Sequence, residues 1–333
     1  MEKPVFSGSV RAVTADRIIG GTSSGISIVV PAYNHAGFLA QAVDSLLSQD
    51  HPVEIIVLDD GSTDNTREVL ARYHGRIHWE TQPNMGQAAT LNRGWGMATG
   101  DFLGYLSADD LLHASAIGQI RSALLTDHDA VAAYPDFNLI DPDGRVVRAV
   151  SAPDFELRSA LLGNECLPGP GALFRREALL SAGGWNPVYR QMPDYDFWLR
   201  LGMLGRFIHL RRVLAGFRVH PGSQTYSTAS PDRAREPVSI IEQALEHPSL
   251  PVELASLRNE AMANARLFSA QLHLRALRIS DAWAEIKKAF RLQTSSVISR
   301  RGLHLLANAL INRLGHSLLW RIRGLASRWK ASS

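Results

Sequence analysis

Short apolar runs alternate with longer segments of helical spacing in the first third of the chain, and this alternation constrains the fold more than any other feature. The strand-like runs cover residues 26–30, 54–58, 77–80 and 102–106. The segments between them, at 37–49, 63–73 and 86–98, have helix-compatible patterns of apolar residues. Such alternation is typical of βαβ units. We therefore predict an α/β fold with a mostly parallel sheet flanked by helices.

The character of the sequence changes twice, which predicts three regions. Residues 1–25 lack a continuous apolar run and end in a glycine- and serine-rich stretch, so we predict a flexible extension without a secretory signal. Residues 26–230 form the predicted α/β domain, and residues 231–333 form a C-terminal helical region. Within that region we predict a linker at 231–237, a hairpin of tetratricopeptide type at 264–292 that packs on the domain, and a basic amphipathic helix near 302–329.

Charge is distributed unevenly along the chain. The 333 residues include 35 basic and 32 acidic side chains, a net charge of +3, yet the segment from Ile286 to the end contains ten basic and no acidic side chains. Apolar residues recur every three or four positions from Leu303 to Trp329 among these basic residues. The pattern fits a helix that packs on the core, or an amphipathic helix on an anionic membrane surface. The second interpretation predicts a cytoplasmic protein that is peripheral on the inner membrane face.

Composition and missing motifs exclude several classes of protein. A content of 45% hydrophobic and 20% charged residues excludes a disordered or coiled-coil chain. The single cysteine, Cys166, cannot form an internal disulfide and fits a reducing compartment. No nucleic-acid-binding motif accompanies the basic residues, so we predict no nucleic-acid partner. Neither of the glycine-rich phosphate-binding motifs follows the first strand, which argues against P-loop and dinucleotide chemistry.

Acidic residues cluster where the predicted strands end. Asp59, Asp60 and Asp64 follow the second strand, and Asp109 and Asp110 follow the fourth. In sheets of this kind the ligand binds beyond the carboxyl ends of the strands. Asp64 fits a cap of the following helix better than a ligand contact. Two adjacent carboxylates repel each other, and a divalent cation with oxygen ligands would compensate for the charge of the second pair.

Four motifs, in order, resemble those of the family 2 inverting glycosyltransferases, which have the GT-A type nucleotide-diphospho-sugar binding fold. The motifs are Val29 to Asn34, Leu58 to Asp64, Asn84 to Gly86 with Asn92 and residues 100–102, and Leu106 to Asp110. The resemblance implies an enzyme that moves a sugar from a nucleotide-diphospho-sugar, by default a UDP-sugar, to an acceptor hydroxyl with Mn²⁺ or Mg²⁺. It implies a glycan or lipid-linked acceptor, in the synthesis of cell-surface polysaccharide or glycolipid.

The resemblance also implies roles for the matching residues. The expected nucleotide-sugar site consists of Pro31, Ala32, Tyr33, Asn34, Asp59, Asp60, Gly86, Asn92, Ser107 and Asp109. Within it, Asp60 would accept a hydrogen bond from the base, Asp59 would support its loop, and Asp109 would lie near the ribose or sugar. Asp110 would bind the metal, and His220 would contact the metal or a phosphate. Many members have an aspartate where this chain has Ser107, so the nucleoside contacts differ in detail.

The acidic residues after Pro193 admit two interpretations. On spacing alone, Asp194 fits the N-cap of an apolar helix. The resemblance instead implies that Asp194 is the general base, because a similar helix follows an acidic pair in the family, although the first residue of that pair is Pro193 here. Asp196 is either a helix-start charge or an acceptor contact, and we expect a surface pair with Arg200 four residues on. Arg218, just before His220, is a further candidate for a diphosphate contact.

Two other functions remain open at this point. A nucleotidyltransferase could use the same sheet and would release pyrophosphate, and a non-catalytic sugar-nucleotide binder would need no base. The residues Ser107 and Pro193, which depart from the family pattern, leave the second alternative open. The remaining histidines near the motifs, His35, His51, His74 and His78, have no ligand spacing, so we predict that they are surface residues.

Overall fold

The computed structural model describes residues 25–163, 168–220, 222–223 and 228–307. Its first elements are β1 (Ile26–Ala32), α1 (Ala36–Leu47), β2 (Glu54–Asp59), α2 (Thr66–Ala71), β3 (His78–Thr81), α3 (Gln87–Met97) and β4 (Phe102–Tyr105). The predicted alternation of strands and helices is therefore confirmed. The helix α2 is shorter than predicted because Asp64 folds the residues before it into a turn. Its Oδ1 accepts the amide of Thr66 at 3.1 Å, and its Oδ2 accepts that of Ala36 at 3.0 Å.

The second half of the α/β domain begins after β4. Its elements are β5 (Leu111–Leu112), α4 (Ala116–Thr126), β6 (Ala130–Ile140), β7 (Val146–Val150), α5 (Leu157–Gly163), β8 (Leu173–Arg175), α6 (Arg176–Ala182), α7 (Pro193–Gly202) and β9 (Arg206–Arg218). The strands of both halves join one sheet with the order β3-β2-β1-β4-β8-β6-β9-β5, and β7 pairs with β6. The sheet is parallel from β3 to β4, antiparallel on both sides of β8, and parallel again between β6 and β9.

Helices cover both faces of the sheet, which confirms the predicted α/β class. Ile28 and Val30 of β1 are buried in a cluster with α1 and α4 on one face. Val29, between them, is buried on the opposite face in a cluster with α3 and α7. Successive side chains of a strand point to opposite faces, so a central strand covered on both sides needs a continuous apolar run. This requirement explains the uninterrupted hydrophobic sequence of β1.

The C-terminal region consists of helices that pack on the domain. They are α8 (Pro231–Leu245), α9 (Val252–Ala255), α10 (Arg258–Arg275), α11 (Ile279–Leu292) and α12 (Thr294–Ile298), and residues 300–307 are also helical. A shared apolar cluster joins Leu161 of α5 and Leu199 of α7 to Ile241 of α8 and Met262 of α10. The predicted hairpin corresponds to α10 and α11. None of the helices in the described ranges is long and apolar enough to cross a bilayer.

One prediction for this region was wrong. Residues 231–237, predicted as a linker, form the first two turns of α8. Ser230 caps this helix by accepting the amide of Arg233, and Pro231 is at the first helical position, where its missing N–H costs nothing. Pro231 therefore marks a helix start, and Pro237 lies inside the same helix. The N-terminal extension, Cys166 and nearly all of the predicted basic helix at 302–329 lie outside the described residues.

Close contact between α3 and β1 yields a first prediction. A Cβ on Gly94 would lie 2.4 Å from Val29 Cγ1, whereas a Cβ on Gly96 would have no atom within 4 Å. We expect Gly94→Ala to lower the free energy of unfolding by about 1–3 kcal/mol, because it overpacks the interface. Gly96→Ala is the matched control, and it should raise the free energy of unfolding by up to about 1 kcal/mol because alanine has the higher helix propensity. Urea denaturation measures both, and equal effects would contradict this account of the packing.

Candidate active site

The loops after β1 and β2 are hydrogen-bonded to each other at the carboxyl edge of the sheet. Asn34 has a φ of +55°, a left-handed conformation that asparagine tolerates better than most residues. Its amide donates to Ser62 Oγ at 2.9 Å, and its Oδ1 accepts the amide of Thr63 at 2.8 Å. Tyr33, beside it, is 46% exposed, whereas Ala32 is buried. Asn34 therefore fixes the two loops as a unit and leaves the ring of Tyr33 at the surface.

The two aspartates after β2 are buried and have protein partners. Asp59 accepts the amide of Ser62 at 2.9 Å and Nε of Arg67 at 3.1 Å, an arrangement that supports the turn. Asp60 Oδ1 accepts Nε2 of Gln82 at 2.9 Å and the amide of Met85 at 2.8 Å. Its Oδ2 accepts the amide of Gly86 at 2.8 Å. Asp60 thus shapes the loop before α3, and its contact with a nucleobase stays a prediction.

A contact at Gly86 joins this edge to the segment before α7. Gly86 has a φ of +84°, and a Cβ built on it would lie 2.0 Å from Nη1 of Arg190. Only glycine permits both the backbone conformation and the close approach of the guanidinium. The exposed Arg190 therefore lies beside the predicted nucleotide site. Arg190 has no signal in the sequence alone, because nothing local relates residue 190 to residue 86.

Asn92, a predicted nucleotide-sugar residue, is instead bonded to the chain before α7. Its Nδ2 donates to the carbonyl of Trp185 at 2.7 Å, and its Oδ1 accepts the amide of Trp185 at 2.8 Å. A Cβ on Gly184 would lie 2.1 Å from the same Oδ1. The whole amide group of Asn92 is thus used to hold α3 against residues 184–185. Ser107 contributes its carbonyl oxygen, which accepts the amide of Asp110 at 3.0 Å.

Three potential metal ligands meet beside the loop after β4. Asp109, His35 and His220 each offer one ligand atom, and these atoms lie within 4.8 Å of one another. His220 Nε2 is 2.9 Å from Asp109 Oδ2, and His35 Nε2 is 3.8 Å from the same oxygen. His35 was predicted as a surface residue, and its side chain is 29% exposed, but the sequence did not indicate its place in this cluster. Its Nδ1 is 2.7 Å from the carbonyl oxygen of Tyr33, so a proton on Nδ1 leaves the Nε2 lone pair facing the cluster.

Asp110 is not part of this cluster, although it was the predicted metal ligand. Its side chain is buried, and Oδ1 accepts the amide of Arg218 at 2.8 Å. Burial, with the neighbouring charge of Asp109, raises the pKa of Asp110 well above its usual value, and the hydrogen bond from Arg218 opposes this only in part. Adjacent residues thus differ: Asp109 faces the two imidazoles, while Asp110 faces the interior. A metal contact by Asp110 stays a prediction that this side-chain orientation does not favour.

Arg218 is buried rather than directed at a ligand site. Its Nε donates to the carbonyl of Asp109 at 2.7 Å, Nη1 to that of Pro142 at 2.8 Å, and Nη2 to Oε1 of Gln41 at 2.9 Å. The guanidinium also lies over the ring of Phe38, 4.9 Å from its centroid. With 1% of its surface exposed, Arg218 cannot contact a diphosphate in this conformation. The predicted role is therefore corrected, because the guanidinium bonds protein oxygens.

The helix α7 presents the predicted base in its first turn. Met192 is the N-cap and Pro193 the first helical residue, so Asp194 is not the N-cap. Asp194 is partly exposed, and its Oδ1 accepts the amide of Tyr195 at 2.9 Å. Asp196 pairs with Arg200 at 2.6 Å, but the pair is largely buried, so the predicted surface interaction was wrong. Arg200 also donates to the carbonyls of residues 182–184 and so holds the chain before α7.

Comparison with known proteins decides the family. The sequence model described as Glycosyl transferase family 2 matches residues 27–181. An uncharacterized glycosyltransferase of Nostoc sp. is 31% identical over 225 residues, which cover 63% of this chain and 70% of the relative. The chain belongs to glycosyl transferase family 2. The family resemblance stated from the motifs is confirmed.

Other relatives of this chain are much longer. The chondroitin synthase and the hyaluronan synthase of Pasteurella multocida are each 31% identical over 196 residues, which cover 56% of this chain but only 20% of theirs. This chain therefore aligns with about a fifth of their length.

Two solved structures confirm the GT-A fold of the glycosyltransferase. S. aureus TarS in complex with UDP-GlcNAc has a TM-score of 0.60 at 19% identity, over 81% of this chain and 91% of that one. The mannosyltransferase PcManGT from Pyrobaculum calidifontis, in complex with GDP-Man and Mn²⁺, has a TM-score of 0.54 at 20% identity. The alignment with PcManGT covers 87% of this chain and 86% of that one.

Proposed function

We propose that this glycosyltransferase transfers a sugar with inversion, using Asp194 as the base and a divalent cation beside Asp109. The observation that best supports the proposal is the contact between Arg190 and Gly86. It brings the segment that leads to Asp194 against the loop that Asp60 organises. A carboxylate on one side of a bound donor and a nucleotide site on the other are what a direct displacement requires.

Different residues of the chain would take different roles in this reaction. Asp194 would take the proton of the acceptor hydroxyl as that oxygen attacks the anomeric carbon, a contribution of about 10²–10⁴-fold to the rate. The bond from the anomeric carbon to the diphosphate oxygen breaks on the opposite face, so the configuration inverts and no covalent intermediate forms. The loops fixed by Asn34 and Asp60 would hold the nucleoside and keep the donor in line.

The residues around Asp109 fit a divalent cation. One carboxylate oxygen and two imidazole nitrogens form a donor set that divalent transition metals can share, and Mn²⁺ is the ion named with PcManGT. The carbonyl of Tyr33 orients the His35 ring, as outer partners of metal-binding histidines commonly do. We propose that Asp109, His35 and His220 hold Mn²⁺ or Mg²⁺. When bound, the cation would neutralise negative charge on the departing nucleoside diphosphate.

The substrates are proposed from the relatives. TarS is described with UDP-GlcNAc and PcManGT with GDP-Man, and we take a UDP-sugar as the first donor to test. Two longer relatives are named as chondroitin and hyaluronan synthases. We therefore propose a glycan or lipid-linked acceptor and a role in the synthesis of a cell-surface polysaccharide or glycolipid.

Replacing the proposed base tests the reaction. We expect Asp194→Asn to reduce transfer by about 10²–10⁴-fold, because an amide cannot accept the proton. Thermal stabilisation by donor and Mn²⁺ should be retained, since donor binding does not need the base. The assay is release of nucleoside diphosphate across a panel of UDP-, GDP- and dTDP-sugars. Asp232→Asn, whose side chain is 94% exposed on α8, is the matched control.

Two results of this assay would contradict the proposal. Normal turnover by Asp194→Asn would remove Asp194 as the base. Release of pyrophosphate in place of a nucleoside diphosphate would indicate a nucleotidyltransferase.

Metal binding can be tested without any substrate. We expect His35→Ala to weaken Mn²⁺ binding by about tenfold or more, because it removes one of three ligands. His78→Ala is the matched control, since His78 is 52% exposed and pairs only with Glu80 among the contacts described for it. Calorimetric titration with Mn²⁺ measures both variants. Equal affinity in His35→Ala and the control would exclude His35 from the site.

We also propose that the C-terminal helices contact an anionic membrane surface. The helix α11 exposes apolar side chains along one side: Ile279, Trp283 and Phe290. Lys287 and Arg291 are exposed beside them, and the chain after residue 285 contains no acidic residue. Apolar side chains flanked by basic ones suit the interface of an anionic bilayer.

Vesicle binding tests this contact. We expect the double variant Trp283→Ser, Phe290→Ser to sediment with phosphatidylglycerol vesicles at least about fivefold less than the parent protein, because two apolar anchors are lost. Leu180→Ser removes an apolar side chain that is 71% exposed on α6 and should have no effect. Undiminished binding of the double variant would remove α11 from the proposal.

A further inference from the structure

The segment before α7 folds around a single carboxylate that comes from the C-terminal region. Glu236 of α8 accepts three consecutive backbone amides. Its Oε1 accepts that of Arg190 at 2.8 Å, and its Oε2 accepts those of Gln191 at 2.7 Å and Met192 at 3.0 Å. Glu236 is 7% exposed, so these bonds are shielded from water.

This arrangement anchors the chain that enters α7, a helix without a side-chain cap of its own. Met192, the N-cap residue, has no side chain that could accept a hydrogen bond, and Pro193 has no amide hydrogen. A carboxylate at the N-terminus of a helix is favoured both by hydrogen bonds and by the helix dipole. Glu236 thus bonds the amide of the N-cap residue and the two amides before it, and fixes the entry to α7 two residues before Asp194.

A second contact on α8 holds the same segment. The hydroxyl of Tyr189 is 3.3 Å from Oγ of Ser239, which lies one turn after Glu236 on the same helix. Tyr189 and Met192 are buried against Ile240 and Ile241. Residues 189–192 are therefore fixed to α8 by polar and apolar contacts together, while Arg190 reaches from them to Gly86.

We propose that Glu236 is a positioning residue for the base: by gathering the amides of residues 190–192 it sets where α7 begins, and hence where Asp194 stands relative to the donor. The inference rests on the proposed role of Asp194. It assigns to the C-terminal helices a direct part in the reaction geometry. Glu236 itself would touch neither the donor nor the acceptor.

The charge and shape of Glu236 can be separated by substitution. Glu236→Gln keeps the size but places an NH₂ group against backbone donors, because an amide has only one acceptor oxygen. Glu236→Asp keeps the carboxylate and should restore part of the function. Glu242→Gln makes the same change at an exposed position of α8 and is the matched control.

Hydrogen exchange tests the contact independently of any substrate. We expect Glu236→Gln to raise amide exchange by about tenfold or more in peptides that cover residues 188–196, and Glu242→Gln to leave it unchanged. Unchanged exchange in Glu236→Gln would overturn the inference, whatever the enzyme transfers.

Turnover tests the consequence for the reaction. With the donor found in the sugar-nucleotide panel, we expect Glu236→Gln to lower kcat by about tenfold or more while the donor KM changes less than about threefold, because a small misplacement of the base affects the chemical step. Glu236→Asp should recover part of the loss. Two results would contradict a positioning role. In one, kcat and donor affinity, each corrected for the fraction of folded protein, fall by the same factor. In the other, kcat stays within about twofold of the parent value. Absence of transfer by the parent protein would instead contradict the proposed function, and the exchange result would still stand.

Discussion

The buried guanidinium of Arg218 is the interaction on which the geometry of the site depends. It lies at the end of β9 and bonds oxygens from α1, from the loop after β4 and from the turn between β6 and β7. Burial lowers the pKa of Arg218, and the charges of Asp110 and Asp109 oppose that change. Leaving one of these buried oxygens without its donor would cost about 1–3 kcal/mol. The two halves of the sheet are thus joined by a charge that water does not reach.

The surroundings of Arg218 determine what the neighbouring residues can do. Its amide bonds Asp110, so that side chain points inward, and the side chain of Asp109 faces the histidines. His220 follows two residues later and meets Asp109 because β9 ends at Arg218. The different orientations of Asp110, which faces the interior, and Asp109, which faces the histidines, therefore follow from where β9 ends.

The parallel half of the fold could be predicted from sequence, and the antiparallel half could not. Central strands such as β1 are continuous apolar runs, because both of their faces are covered. The strand β8 has only three residues, and β9 contains the adjacent Arg211 and Arg212, so neither has a local pattern that identifies it. Their pairing depends on partners far along the chain. The error at 231–237 has a local cause instead: the two prolines indicated a linker, although Ser230 caps a helix that begins at Pro231.

Within the site, sequence predicted which strand ends matter but not which way their side chains point. The strand-end rule brought attention to Asp59, Asp60 and Asp109, all of which lie at the carboxyl edge. The directions of the side chains depend on rotamers and on contacts between distant parts of the chain. Asn92 bonds Trp185, and Glu236 of the C-terminal region bonds the chain just before α7. Neither contact has a signal in a single sequence. His35 directly follows the first motif, and its position at the same edge was the one available clue.

The close approach at Gly86 has a consequence for how this enzyme can vary over evolutionary time. A side chain at residue 86 would need an unfavourable backbone conformation and would also occupy the space of the Arg190 guanidinium. A side chain at residue 86 would therefore require the Arg190 guanidinium to move, whereas replacing Arg190 by a smaller residue leaves Gly86 unaffected. Related proteins that keep this loop geometry should therefore keep glycine at position 86, whichever residue stands at position 190.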